Sequence, residues 1–266
     1  HDSFKNVIAS LPGVGEPIVL SAHLDTVEPG RGIKPILDGD TLRSDGTTIL
    51  GGDCKSGVTI VLEALTSAIE ANLDHVPIEV AFSRAEEGGL VGARNMEMSR
   101  LTAKRGMVFD AEGNANRITI GAPYQNVVKA HINGRASHAG IEPEKGVSAI
   151  LIAAEILTQL PLGRIDFETT ANIGVVNGGI KRNIIPDYTF LDGELRSLDQ
   201  AKFEYYTDQF RGVFTQVLES HEGCSIDLDI ENTYAGYVVD CENETAQMIA
   251  SAITEIGLTP QFEYTG

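Results

Sequence analysis

The apolar run PIVLSAHL, residues 17–24, constrains the fold more than any other stretch of this chain. It reads as a buried strand, and it ends in His23 with Asp25 two positions on. Side chains two apart in a strand share a face, so the imidazole and the carboxylate emerge side by side where the strand leaves its sheet. A metal-ligating histidine and the carboxylate that orients it can be arranged in this way. A polar pair that merely finishes a strand would look the same, so the rest of the chain has to decide between the two.

Strand and helix alternate through the first part of the sequence. Val58, Val61, Leu62, Leu65 and Ile69 recur at helical spacing in the segment that begins near Asp53. VPIEVAFS is the next strand, GLVGARNM a short helix and RGMVFD another strand. Strands separated by helices imply a mainly parallel sheet flanked by helices, and such sheets gather ligands beyond the carboxyl ends of their strands. His23, Asp53, Glu86, Glu87 and Asp110 all fall at those ends or just after them. The rhythm changes from about Ile118. YQNVVKAHING, TTANIGVV, DYTFLDGELRS and CSIDLDIENTY read as strands, with helices in PEKGVSAILIAAEILTQL and DQAKFEYYTDQFRGVFTQVLES. The resulting order β-α-β-β-α-β is that of a ferredoxin-like α+β domain, complete in itself. The predicted organisation is therefore an α/β domain over 1–117, an inserted ferredoxin-like domain over 118–233, and a return to the first domain over 234–266. The return runs through the amphipathic helix in ENETAQMIASAITEIG.

Composition narrows the function classes. With 266 residues, 42% of them hydrophobic and 22% charged, the chain can bury one large core or two ordinary ones. No apolar tract is long enough to span a membrane. A formal charge of −18 argues against nucleic acid and anionic membrane surfaces as partners and favours cations. Cys54, Cys224 and Cys241 lie far apart with no CxxC, which predicts reduced thiols and a cytoplasmic setting. No signal-peptide pattern opens the sequence, although His1 is not an initiator methionine.

The strand ends carry the chemistry. Two cations a few ångströms apart need oxygen and imidazole ligands from several elements and one carboxylate able to bridge them. Asp53 in LGGDCKSG suits that bridge, since the glycines before it allow a tight turn and a helix follows it; an ordinary N-cap would read alike. The stretch resembles a phosphate loop only superficially, because Cys54 stands where a glycine should precede the lysine. In SRAEEGGLVGA, Glu86 and Glu87 diverge from adjacent positions, so one can bind a cation while the other holds a water; two exposed glutamates capping a short helix are the alternative. Asp110 opens an alternation with Glu112, Asn114 and Asn116 that hints at a calcium loop, but Ala115 and Gly121 stand where glycine and glutamate are required. His75, His131 and His221 read as structural or exposed. His138, in NGRASHAGIEPEKG, stands in a glycine-rich turn from strand to helix, as a plain turn residue or as a functional one.

Taken together, SAHLDTV, LGGDCKSG, EEGGLVGA, FDAEG, GRASHAGIEPEKGVSAI and GGIKRNIIPDYTFLDGELRS resemble the dinuclear zinc exopeptidases, the family of peptidase T, bacterial glutamate carboxypeptidase and the aminoacylases. The peptidase T-like, tripeptidase-related branch is the nearest in DGTTILGGD, GLVGA and PLGRIDFETTANIG. The resemblance implies a catalytic α/β domain with an inserted lid and dimerisation domain, and two divalent metal ions, zinc first with cobalt or manganese as substitutes. It implies that His23 and Asp110 bind one ion, Asp53 bridges and Glu87 binds the second, while Asp25 orients His23. Glu86 becomes the general base that takes a proton from the metal-bridging water and later passes it to the leaving amine. His138, Asn183 and Arg196 match lid residues that contact substrate, the histidine reaching a partner's site in dimeric members. The implied partners are a short peptide and a second copy of the chain.

Two departures from the family accompany the match. Cys54 replaces the usual acidic residue beside the bridging aspartate, where it is a small buried side chain or one that tunes the site. Family members also continue past the position of Gly266, through a GGSDAN-like segment to a histidine that completes the second metal site, and begin with helices before KNVIASLPG. The expectation is that these residues belong to a longer polypeptide. Three readings stand: a metal-dependent exopeptidase of aminotripeptidase type, an N-acyl amino-acid amidohydrolase using the same chemistry, and a non-catalytic metal-binding or dimerising protein.

Overall fold

The structure, a computed structural model, describes residues 1–265, so Gly266 of the predicted return segment lies outside the described residues. The chain divides into two compact units. The first comprises His1–Ile118 and Gln247–Pro260, and the second comprises Thr119–Ala246 and the residues from Gln261 on.

The first unit opens with β1 (Val7–Leu11), β2 (Ile18–His23), a hairpin of β3 (Pro35–Asp38) and β4 (Thr41–Ser44), and the long helix α1 (Gly52–Glu70). There follow β5 (Ile78–Ser83), the single turn α2 (Val91–Arg94) and β6 (Gly106–Val108). Its main sheet has the order β1-β5-β2-β6. β2 pairs in parallel with both β5 and β6, and β1 closes one edge antiparallel to β5. The mainly parallel α/β reading therefore holds, with one antiparallel edge. Leu20, Ala22, Val80 and Phe82 of the two central strands meet Cys54 and Val61 of α1 in the core. Burial on both faces explains why these strands read as apolar runs rather than as alternations.

The second unit takes over within β7 (Arg117–Ala122), at Thr119, and holds β8 (Tyr124–Asn133), α3 (Ala149–Gln159), the short β9 (Gly163–Arg164) and β10 (Thr169–Gly178). It continues with β11 (Tyr188–Ser197), α4 (Gln200–Ser220), β12 (Ser225–Tyr234), β13 (Tyr237–Val238), α5 (Glu244–Glu255) and β14 (Gln261–Tyr264), although α5 passes into the first unit after Ala246. β12-β8-β11-β10-β9 form one antiparallel sheet. Val128, Ala130 and Ile132 of β8 and Leu191 and Leu195 of β11 face α3 and α4, packing against Ile152, Ile156, Phe210, Phe214 and Val217. This is the ferredoxin-like arrangement. Ser148 caps α3 by accepting from Leu151 N, and Asp199 caps α4 by accepting from Lys202 N at 2.8 Å. α3 begins later than its apolar pattern suggested, because a 3-10 turn at Pro143–Lys145 and the extended Gly146 precede the cap.

A three-stranded sheet, β13-β7-β14, escaped the sequence reading. Two-residue and four-residue strands carry too few side chains to show a period. β13 pairs with β7, and the second unit runs to Ala246 before the chain passes to the first. No helix among the described residues is long and apolar enough to cross a membrane.

Candidate metal centre

β2 delivers His23 as its last residue, and the ring is 3% exposed. Its Nε2 lies 2.6 Å from Asp53 Oδ1 and 3.5 Å from Asp110 Oδ1, while Nδ1 lies 3.5 Å from Asp25 Oδ1. One strand end, one helix start and one loop thus converge on a single imidazole.

Asp53 reaches it through an irregular helix start. Gly51 has a left-handed φ of 80°, and Asp53 and Cys54 depart from helical dihedrals before α1 becomes regular. Gly57 lets that helix lie against the end of β6, since a Cβ there would sit 2.0 Å from the Phe109 carbonyl oxygen and 2.8 Å from Cys54 Sγ. The Cys54 thiol donates to the same Phe109 oxygen at 2.8 Å, and Phe109 N in turn donates to Ser21 O. Asp110 is therefore held by its neighbour in sequence against both β2 and α1. Lys55 donates its ammonium to the carbonyl of Leu24, beside His23. In the sequence, Lys55 is signalled only by its place early in a helix that starts with a candidate ligand.

Glu86 and Glu87 follow β5. Their N–H groups both donate to the Asp25 carboxylate, at 2.9 and 3.2 Å. Two overlapping donor groups result. His23, Asp53, Cys54 and Asp110 each offer an atom within 4.8 Å of every other, and so do His23, Glu86 and Glu87. The groups share His23, whereas Asp53, the residue assigned as the bridge, belongs to the first.

Acidic groups crowd one another around the buried imidazole. Burial disfavours a charged His23 ring, but the hydrogen bond to Asp53 and the charges of Asp110, Asp53 and Glu86 prevail and raise its pKa. Burial raises Glu86 above the ordinary carboxylate value, helped by the charges of Asp110, Glu87 and Asp53 against the pull of His23. Burial likewise raises Asp110. Asp25 behaves oppositely: burial works against its charge, yet the backbone N–H donors of Glu86 and Glu87 help hold it below its usual value. Burial pushes the Cys54 thiol up to about 11, so it stands there neutral.

These residues fit divalent cations. The buried Nδ1 of His23 makes no hydrogen bond, and its nearest acidic neighbour is Asp25. Ligation through Nε2 would place the ring proton on Nδ1, facing that carboxylate, and would relieve the crowding of acidic oxygens. The donor set, imidazole nitrogen with carboxylate oxygens, suits zinc and also manganese or cobalt.

The remaining site residues of the sequence reading lie in the second unit. His138 and Asn183 are neighbours: His138 bridges to Ile184, and Ala139 N donates to Asn183 O at 3.1 Å. Arg196 is elsewhere, near the far end of β11, about eight residues or roughly 26 Å of strand from Tyr188. Its guanidinium pairs with Glu194 at 2.9 Å. His75, His131 and His221 have structural partners: the Val76 carbonyl, the Tyr188 hydroxyl and Glu155 respectively.

A mainly parallel α/β unit with an imidazole and carboxylates at its strand ends, joined to a ferredoxin-like unit, is the build of a metallopeptidase. Comparison with known proteins narrows the class. The model of Peptidase family M28 matches residues 6–140, and that of the Peptidase dimerisation domain matches residues 126–222. The solved aminopeptidase PepT from Bacillus cereus ATCC 10987 superposes with a TM-score of 0.93 at 39% identity, over 98% of this chain and 70% of that one. A solved tripeptidase from Staphylococcus aureus subsp. aureus Mu50 superposes with a TM-score of 0.93 at 33% identity, with the same coverage of 98% and 70%. The uncharacterized protein YqjE of Bacillus subtilis (strain 168) is 37% identical over 263 residues, covering 98% of this chain and 71% of that protein. Of the Peptidase T of Clostridium novyi (strain NT), the chain spans 61%. The chain belongs to the peptidase T-like zinc exopeptidase family.

Proposed function

We propose that the chain forms part of a metal-dependent exopeptidase of aminotripeptidase type, acting on short peptides in the cytoplasm. The observation that carries this reading is the convergence of His23, Asp53 and Asp110 in one donor group and of His23, Glu86 and Glu87 in another, at the strand ends of a single sheet. The relatives named aminopeptidase and tripeptidase support the substrate class, and three cysteines standing as thiols support a reducing compartment.

His23, Asp53 and Asp110 would hold one divalent ion and Glu87 the second, with Asp53 between them; zinc is the first choice. When bound, the ions supply Lewis acidity that acidifies a water and polarises the scissile carbonyl. The chain's own residues do the rest. Asp25 fixes the ring of His23 and the amides of Glu86 and Glu87. Glu86 takes a proton from the attacking water and delivers it to the departing amine. His138 and Asn183 stabilise the developing oxyanion and the peptide backbone, and Arg196 binds a carboxylate through its planar fork. The match to the Peptidase dimerisation domain supports a homodimer formed through the second unit.

The test uses the full-length protein with unblocked tripeptides and N-acylated amino acids as competing substrates. Tripeptides should be cleaved, turnover should vanish with a chelator, and zinc, cobalt or manganese should restore it. Glu86→Gln should keep its metal and lose turnover by at least about 100-fold, the scale of general acid–base catalysis. Full metal occupancy without turnover in the native enzyme would refute the reading.

A further inference from the structure

We propose that Asn6 is a positioning residue for Glu86, acting as a clasp on both ends of the loop that carries Glu86 and Glu87. The inference rests on the reading of Glu86 as the base.

Asn6 directly precedes β1 and is fully buried. A buried amide must satisfy its donors and its acceptor, and this one does so at both ends of the segment 84–92. Its Oδ1 accepts from Arg84 N at 3.2 Å, and its Nδ2 donates to the carbonyl of Gly92 at 3.0 Å and to Asp2 Oδ2 at 2.7 Å. Gly92 N donates back to Arg84 O at 2.8 Å, so the loop is closed by one direct bond and by two bonds through Asn6. Asp2 fixes Asn6 in turn, accepting from its backbone N–H at 2.8 Å.

The loop needs such a clasp. Ala85 and Leu90 have left-handed φ values of 51° and 62°, which side chains with a Cβ avoid unless their surroundings over-determine them. Inside the loop, Glu86 O accepts from Gly89 N and Leu90 N, and Ala85 O accepts from Val91 N. On the sheet side, Asp25 takes the amides of Glu86 and Glu87. Asp25 thus sets where the two glutamates stand, and Asn6 sets where the loop begins and ends. Gly92 leaves room for the amide: a Cβ there would lie 2.2 Å from Arg84 O and 2.5 Å from Asn6 Oδ1. Asparagine also suits the position chemically, since an aspartate would turn a second carboxylate toward Asp2 and lose the donor that Gly92 receives.

The experiment compares Asn6→Ala, Val61→Ala and Glu86→Gln in the full-length, metal-loaded protein, with kcat, KM, bound metal and melting temperature measured for each. Val61 is a fully buried core residue of the same unit and controls for lost stability alone. Well below its melting temperature, Asn6→Ala should lose roughly tenfold or more in kcat with KM within about twofold and metal content unchanged, the pattern of a lost transition-state arrangement. Val61→Ala should keep its kcat. Should Asn6→Ala fail to fold, Gly92→Ala carries the same test, because its methyl group presses on Arg84 O and the Asn6 amide. A kcat within about twofold of the native value, or a loss no larger than that of Val61→Ala, would overturn the clasp while leaving Glu86 as the base. Turnover that survives Glu86→Gln would overturn both.

Discussion

Asp25 takes two backbone N–H groups on one carboxylate and lies beside the buried Nδ1 of His23. Removing it leaves those amides and the ring without their anchor. Asp25→Ala should therefore cost about 10- to 100-fold in turnover or metal affinity, read by assay and by chelator competition. The proximity of His23 and Asp25 was legible because strand side chains repeat every two residues. Its contact with Glu86 was not, since the two are separated by 61 residues and only the parallel pairing of β2 with β5 brings them together. Cys54 shows the reverse case. Its position beside Asp53 was plain, but its bond to the Phe109 carbonyl, which ties the helix start to the loop of Asp110, required the fold.

At the scale of elements, two contacts hold the site's framework. Glu79 of β5 is buried, and its carboxylate accepts from the Thr102 hydroxyl at 2.6 Å and from the N–H groups of Thr102 and Ala103, on the approach to β6. Burial opposes its charge, yet these donors hold its pKa below the ordinary 4.5. A folded-state value below the unfolded one contributes stability that is fully present above about 4.5 and is lost as pH falls through the depressed value. Glu79→Gln should lower stability at pH 7 by about 2 kcal/mol, the scale of hydrogen bonds to a charged group. The gap to the native protein in urea unfolding should then narrow on acidification. The second contact is the close approach of α1 to β6. Gly57→Ala should cost roughly 1–3 kcal/mol through overpacking and weaken metal binding, as Asp53 and Asp110 are pushed apart. Gly212→Ala in α4 meets nothing within 4 Å and should instead add about 0.5–1 kcal/mol, both read as shifts in the urea midpoint. The long elements were legible from their periods, whereas β13 and the register that places Gly57 against Phe109 were not.

Within a molecule of formal charge −18, Asp53, Asp110, Glu86 and Glu87 gather around His23. A cation that binds only the folded state stabilises it by mass action, by roughly 2.7 kcal/mol at 100 times its Kd. Chelation should accordingly lower the thermal midpoint of the first unit, and returning zinc should restore it, with calorimetry as the readout. Local chemistry determined much of this by itself: apolar periodicity specified the α/β unit and the ferredoxin-like insertion, and ordered motifs marked the acidic side chains and His23. The tertiary structure alone decided how those side chains are held. Periodicity states which way a residue faces, but a hydrogen bond between distant segments, such as Asn6 to Arg84 and Gly92, exists only once strand pairing has set their register.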